Sequence, residues 1–184
     1  PLRRQRQMCI RDRTKDALAK TKAGSWEYDI VIPGYKCNLT DIAASIGLVQ
    51  LDRYPKLLER REDIISQYNK GFEGTRIKPL SHSSDNYKSC GHLYITHVKG
   101  ATFEQRGEII VKMAERGISC NVHYKPLPLL TAYKNLGFNI ENYPNAYNYY
   151  VKEITLPLHT RLSDEDVAVI ISNFKEIVEE VVGE

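Results

Sequence analysis

The strongest constraint on the fold is an apolar stripe near the C-terminal end of the sequence. Seven apolar side chains recur there at spacings of three and four: Val167, Ile170, Ile171, Phe174, Ile177, Val178 and Val181. Such a stripe covers one face of an α-helix and has to be buried against other structure. Ser163, followed by acidic residues at 164–166, predicts where this helix starts. The chain therefore needs a packing surface for the helix, and we expect a β-sheet.

Upstream segments supply the strands and helices of such a domain. Short apolar runs predict strands over residues 77–80, 93–98, 118–124 and 154–156. Thr102 and Gln105 predict a capping box that starts a helix, and Gly117 predicts its end. Shorter helices are expected over 129–136 and 144–152, on either side of loop residues. These patterns predict an α+β domain over residues 74–184.

A long helical pattern precedes this domain. Apolar residues recur at helical spacing over 38–71, and Pro55 interrupts them. Proline fits the first turn of a helix but breaks its interior. We therefore expect one helix over about 41–52 and a second, at an angle, over about 55–70. A short strand is also expected over 28–32, ahead of the turn at Pro33–Gly34.

Composition and charge bound the class of protein. The chain has 184 residues, of which 42% are hydrophobic and 27% charged, as in folded globular proteins. No apolar run approaches the roughly 18 residues of a membrane span, so a cytoplasmic location is expected. Residues 1–13 carry five arginines and one aspartate, which leaves the remainder near neutral.

The N-terminal residues have an unusual composition. Residues 3–12, RRQRQMCIRD, resemble the translation of a sequencing adapter, and we expect residues 1–13 to be a non-native tail. The alternative is a basic arm that binds nucleic acid, which would normally carry interleaved aromatic residues. We therefore exclude this tail from the fold.

The cysteines predict no metal site and no disulfide framework. Cys9, Cys37, Cys90 and Cys120 are scattered, and none forms a CxxC pair. Reduced thiols are expected. A catalytic cysteine with a histidine partner stays open as an alternative.

Two segments carry candidate site residues. In residues 33–41 a glycine turn leads into a helix start, where free N–H groups favour an anion and where Asn38 could bind it. The alternative is that Asn38 or Thr40 only caps the helix. In residues 121–128, strand alternation would put His123 beside Asn121 on one face and Tyr124 beside Val122 on the other. This predicts a pocket rim, although a lone histidine is more often structural, and His92, His97 and His159 have no stronger claim.

One family pattern unites these segments. Residues 34–51, GYKCNLTDIAASIGLVQL, closely resemble a signature of the DegT family of sugar-nucleotide aminotransferases. Three further segments follow in the family's order: Arg60–Arg61, residues 117–124 with the proline-rich loop, and residues 156–159. The resemblance covers about residues 25–184, with Cys37 standing where an aromatic residue is usual.

The resemblance implies a fold and an activity. It implies a fold-type I enzyme that depends on pyridoxal 5′-phosphate (PLP) and acts as a homodimer with active sites between subunits. Glutamate would give its amino group to a nucleotide-linked keto sugar for surface polysaccharide or lipopolysaccharide synthesis. Residues 14–73 would be the end of the large domain with connecting helices, and residues 74–184 the small domain. Asn38 and Tyr35 would contact the cofactor, and His123, Tyr124 and Lys125 would bind the sugar.

The sequence lacks one feature of this family. Family members bind PLP through a lysine Schiff base that precedes the signature by a few tens of residues. Lys15, Lys20 and Lys22 lie too close to the signature. We therefore expect most of the large domain to be missing and this chain alone to be inactive in transamination. The alternatives are a lysine-independent sugar dehydratase of the same family, or a stand-alone sugar-binding or dimerisation module.

Overall fold

A computed structural model describes residues 40–183. The described residues fall into two units, one that ends at Asp52 and one that begins at Arg53. The described helices are α1 (Asp41–Gly71), α2 (Phe103–Glu115), α3 (Thr131–Asn135), α4 (Pro144–Tyr150) and α5 (Asp164–Val182). The described strands are β1 (Ile77–Pro79), β2 (Ser83–Ser84), β3 (Tyr87–Lys88), β4 (Tyr94–Val98) and β5 (Glu153–Leu156). Short 3₁₀ turns cover Leu127–Leu129 and Ile140–Asn142.

The second unit is built on a three-stranded antiparallel sheet. The strand order is β1-β4-β5, so β4 lies in the middle. Tyr94 pairs with Leu156 and His97 with Glu153, while Ile77 pairs with Val98 on the other side. Tyr94, Thr96 and Val98 are buried on the core face, as the period of two in a strand requires. The predicted α+β class is confirmed.

Helix α5 buries the apolar stripe that the sequence predicts. Val167, Ile170, Phe174, Ile177 and Val178 are buried in the core, and α5 packs beside α2. Ser163 starts α5, and Thr102 starts α2, each with a complete capping box. Gly117 follows α2 with a φ of +76°. That backbone angle favours glycine, as predicted for the end of a helix.

The predicted break at Pro55 is wrong. Helix α1 runs without interruption from Asp41 to Gly71 and contains Pro55. A proline deprives the carbonyl four residues earlier, here that of Leu51, of its N–H partner. Residues 51–56 are all exposed, so water can satisfy that carbonyl. The C-terminal part of α1 also contributes Ile64, Ile65 and Tyr68 to the core, and Phe72, directly after the helix, joins them.

The start of α1 has a side-chain cap. The Thr40 hydroxyl accepts a hydrogen bond from the Ala43 backbone N–H at 3.2 Å. This supports the capping alternative for Thr40. Asn38, Tyr35 and the predicted strand over 28–32 lie outside the described residues. Ile42 and Ile46, on the first turns of α1, are 76% and 59% exposed.

The segments that connect the helices differ from the prediction in two places. Residues 74–91 contain the predicted strand β1, but they also form the hairpin of β2 and β3, whose turn is Asp85–Asn86. The predicted strand over 118–124 is wrong. Only one residue, Asn121, pairs with a strand, and its partner is Thr155 of β5.

Arg60 links α1 to the start of α5. Its guanidinium donates to Asp63 at 2.5 Å, to Asp164 at 2.7 Å and to the Leu162 carbonyl at 2.6 Å. Hydrogen bonds from Gln67 and Arg60 hold the pKa of Asp164 below its ordinary value. Because the carboxylate stays ionised, its negative charge also stabilises α5 through the partial positive charge at the N-terminus of that helix.

Candidate functional site

A cleft of about 250 Å³ lies beside two of the residues predicted to bind sugar. It is lined by His123, Tyr124, Pro126, Ala146, Tyr149, Tyr150 and Glu153. The structure therefore brings His123 and Tyr124 together at one cleft. Lys125, predicted with them, is absent from this lining.

A single β-bridge, between Asn121 and Thr155, connects the segment that carries His123 to the sheet. Asn121 and Thr155 exchange two backbone hydrogen bonds, of 3.1 and 2.8 Å. Two residues on, the His123 N–H donates to Glu153 Oε2 at 2.9 Å instead of to a backbone carbonyl. The Glu153 side chain thus accepts the hydrogen bond that a backbone carbonyl of β5 would accept in a longer ladder. The backbone pairing ends there, which explains why residues 118–124 form no strand.

The exposure of residues 121–124 does not alternate as the predicted strand would require. The Asn121 side-chain oxygen accepts from the Val122 N–H at 2.8 Å, and the residue is exposed. His123 is half-buried, whereas Tyr124 is 72% exposed. The two aromatic rings contact each other edge-on with centroids 4.7 Å apart.

Three side chains form a hydrogen-bonded chain at the floor of the cleft. The Thr155 hydroxyl donates to Glu153 Oε1 at 2.5 Å. The Thr155 hydroxyl oxygen also lies 2.9 Å from His123 Nδ1. Glu153 and Thr155 are two residues apart on β5 and are 1% and 5% exposed. The imidazole is therefore connected to a buried carboxylate through one hydroxyl group.

Burial raises the pKa of Glu153 above its ordinary value. The hydrogen bonds from Thr155 and from the His123 N–H act in the opposite direction, as do the charges of His123 and Arg106. Burial penalises the charged form of an acid, whereas donors and nearby cations favour it. The pKa of Glu153 is raised because burial is the largest of these effects.

Arg106 is a buried cation whose positive charge acts on Glu153 and favours its ionised form. It is 7% exposed, and its Cζ lies 4.7 Å from the Phe103 ring centre and 4.9 Å from that of Tyr150. Its Nε and Nη2 atoms are buried without a hydrogen-bond partner. Cation–π contacts with the two rings compensate part of the cost of burying the charge.

Sequence reasoning missed Glu153, Thr155 and Arg106. A signal existed for Arg106, which lies three and seven residues before Ile109 and Met113, on the buried face of α2. A signal also existed for Glu153, a charged residue next to the apolar run that predicts β5. For Thr155 the local sequence offers no comparable signal.

The other histidines lie elsewhere. His97 is half-buried and packs on Tyr149, with ring centres 3.9 Å apart, and burial lowers its pKa. His82 stacks on Tyr94 and lines a larger cleft of about 690 Å³ between α1 and the β2–β3 hairpin. His92 and His159 are exposed. The larger cleft contains none of the predicted site residues.

The catalytic-cysteine alternative gains no support from Cys120. Burial raises the pKa of its thiol to about 12, which keeps it protonated and poorly nucleophilic. Cys90 is exposed. Among residues 40–183 no group of three or more histidine, cysteine, aspartate or glutamate side chains is arranged to hold a metal ion. No helix in that range is long and apolar enough to cross a membrane.

The described residues do not by themselves fit the PLP that the resemblance implies. A phosphate group needs cationic side chains or free N–H donors. The cleft beside His123 has neither lysine nor arginine in its lining, and it contains the Glu153 carboxylate. At the start of α1 the Thr40 hydroxyl already accepts the Ala43 N–H. Asn38 and Tyr35, the predicted cofactor contacts, lie outside the described range.

Curated relatives share most of this chain. The spore coat polysaccharide biosynthesis protein SpsC of Bacillus subtilis is 36% identical over 163 residues, which is 84% of this chain and 41% of SpsC. The UDP-4-amino-4,6-dideoxy-N-acetyl-beta-L-altrosamine transaminase of Campylobacter jejuni is 32% identical over 156 residues. That match covers 85% of this chain and 41% of the relative. The chain thus spans less than half the length of these relatives.

Solved structures and a family profile agree with these matches. The PMP form of Spr1654 from Streptococcus pneumoniae has a TM-score of 0.80 and 61% sequence identity, over 96% of this chain and 44% of Spr1654. The PLP form of that protein is also similar. The profile of the DegT/DnrJ/EryC1/StrS aminotransferase family, whose members depend on PLP, matches residues 5–175. The chain belongs to the DegT/DnrJ/EryC1/StrS aminotransferase family.

Proposed function

We propose that this chain is the C-terminal part of a PLP-dependent aminotransferase that passes an amino group from glutamate to a nucleotide-linked keto sugar. The observation that carries the proposal is the cleft beside His123 and Tyr124, because the family motif for the sugar site lies at it. Its walls are mostly aromatic, with a few placed polar groups, as in typical small-molecule sites. The names of the Campylobacter and Bacillus relatives support a UDP-linked sugar and a polysaccharide pathway.

The whole protein would act in the cytoplasm as a homodimer and serve surface polysaccharide or lipopolysaccharide synthesis. Asn38 and Tyr35 are proposed as cofactor contacts, and His123, Tyr124 and Lys125 as sugar contacts. For Lys125 the support is the family motif alone, since it does not line the cleft. The proposed domain limits stay as predicted, with residues 1–13 a non-native tail, 14–73 the end of the large domain with connecting helices, and 74–184 the small domain.

The test is an amino-transfer assay on the purified whole protein with PLP, glutamate and a UDP-linked 4-keto sugar. We expect formation of 2-oxoglutarate and of the amino sugar, both detected by mass spectrometry. His123→Gln should lower kcat/KM for the keto sugar by about 10- to 100-fold, as for the loss of one buried hydrogen bond. His92→Gln is the matched control, because His92 is exposed.

Absence of the amino sugar, or equal effects of the two substitutions, would contradict the proposal. The same assay on the 184-residue chain alone should give no amino transfer. Turnover by that chain would show that the large domain is dispensable.

A further inference from the structure

We infer that Thr155 and Glu153 are positioning residues that hold the His123 imidazole with its proton on Nδ1, so that Nε2 is a hydrogen-bond acceptor at the cleft. The inference rests on the proposed function only for the identity of the group that donates a hydrogen bond to Nε2. That donor would be a hydroxyl or amide N–H group of the sugar. The tautomer itself follows from the described contacts together with the ionised state of Glu153.

The first step is the state of Glu153. Each of its carboxylate oxygens faces a donor: Oε1 faces the Thr155 hydroxyl at 2.5 Å and Oε2 faces the His123 N–H at 2.9 Å. An ionised carboxylate accepts hydrogen bonds at both oxygens and donates none. A proton on Oε2 would meet the His123 N–H, which can only donate, whereas a proton on Oε1 would turn the Thr155 hydroxyl towards His123 Nδ1 and reverse the tautomer. The hydrogen bond that the Thr155 hydroxyl donates to Oε1 belongs to the ionised group, and the charge of the buried Arg106 favours that group.

The second step is the direction of the hydrogen bond at Thr155. A threonine hydroxyl has one proton and can accept two further bonds. Its proton points to Glu153, so its oxygen can only accept from the atom 2.9 Å away, His123 Nδ1. Nδ1 must then carry a proton. In the neutral imidazole the other nitrogen, Nε2, has none and accepts.

The third step is what this arrangement does at the cleft. His123 lines the cleft, and the described hydrogen bond of its ring is made by Nδ1 with Thr155. An acceptor there recognises a donor on the ligand and rejects an analogue that lacks it. The hydrogen bonds from Glu153 through Thr155 to His123 thus fix the imidazole so that it presents an acceptor, and not a donor, to the cleft.

The experiment reads the tautomer directly by long-range ¹H–¹⁵N NMR of the imidazole nitrogens in the full 184-residue chain. The measurement is made above the pH at which imidazole protonates. His123 is assigned as the signal lost in His123→Gln. We expect a pyrrole-like nitrogen shift at Nδ1 and a pyridine-like shift at Nε2. The tautomer is read on the unsubstituted chain, and a variant is needed only for the assignment.

Three substitutions extend the test. Thr155→Ser keeps the hydroxyl and should keep the tautomer, whereas Thr155→Val removes the Nδ1 partner and should abolish the fixed preference. Glu153→Gln should reverse it, because the new amide N–H can donate to Thr155, whose hydroxyl then donates to Nδ1. Backbone amide spectra report whether each variant is folded.

A proton on Nε2 in the unsubstituted chain would overturn the inference. So would an unchanged tautomer in both Thr155→Val and Glu153→Gln. Failure of amino transfer by the whole protein would leave the NMR result intact, so the two proposals fail separately.

Discussion

Replacing Phe174 by alanine should remove a large part of the stability of the second unit. The ring is fully buried on α5 and meets the Phe72 ring edge-on, with centroids 5.7 Å apart. Loss of a buried phenylalanine side chain costs about 3–5 kcal/mol, as a transfer term plus a cavity term. A single domain has only about 5–15 kcal/mol of stability in total, so this substitution alone removes between about a fifth and all of it.

The assay is urea unfolding followed by near-ultraviolet circular dichroism of tyrosine. Tyr68 and Tyr94 are buried, with ring centres 4.6 Å apart, so they report on this core. With a urea dependence of about 1–3 kcal/mol per M, the midpoint should fall by about 2 M at unchanged slope. Val169→Ala is the matched control, because Val169 lies on the same helix and is 54% exposed. Its effect should stay within about 0.5 kcal/mol.

A midpoint shift for Phe174→Ala below about 0.5 M, or one equal to that of Val169→Ala, would refute the core assignment of α5. Phe174→Leu provides a second variant, since it retains apolar contact and should cost about 1 kcal/mol.

Two other measurements test the electrostatics of the described residues. Because burial raises the pKa of Glu153, its contribution to stability is present below the ordinary glutamate pKa and is lost as the pH rises through the raised value. The free energy of unfolding of the unsubstituted chain, relative to Glu153→Gln, should therefore fall with rising pH in that window, by at most about 1.4 kcal/mol per pH unit; a flat or rising difference would contradict this. In a Cys9→Ser, Cys37→Ser background, a thiol reagent should modify exposed Cys90 quickly and leave Cys120 unmodified until urea is added, because the pKa of Cys120 is raised to about 12. Equal rates at the two cysteines would contradict the burial of Cys120.

The positions of the helix ends were predictable from short stretches of sequence. The capping boxes at Thr102 and Ser163 each join residues only three apart, so neighbouring side chains satisfy the free N–H groups without help from distant structure. The stripe on α5 was predictable for the same reason, since its period depends only on helix geometry. The sequence signature also carried the family resemblance.

Two local rules failed because of surroundings that the local sequence does not describe. Pro55 was predicted to break a helix, yet its turn of α1 is exposed, and water can satisfy the carbonyl that it leaves unpaired. Residues 118–124 have the pattern of a strand, but the Glu153 side chain takes the His123 N–H, and a single bridge remains.

The sequence by itself predicted the family and the α+β class, which are confirmed, and it indicated His123 and Tyr124, which line one cleft. Only the tertiary structure decided how His123 is held, because its partners lie about thirty residues further along the chain. Pairing of Asn121 with Thr155 puts His123 opposite Glu153, and an antiparallel register of this kind is set by long-range packing of the sheet. The two contacts of 2.9 Å that His123 makes with Glu153 and Thr155 depend on that register, so no local pattern in the sequence could have revealed them.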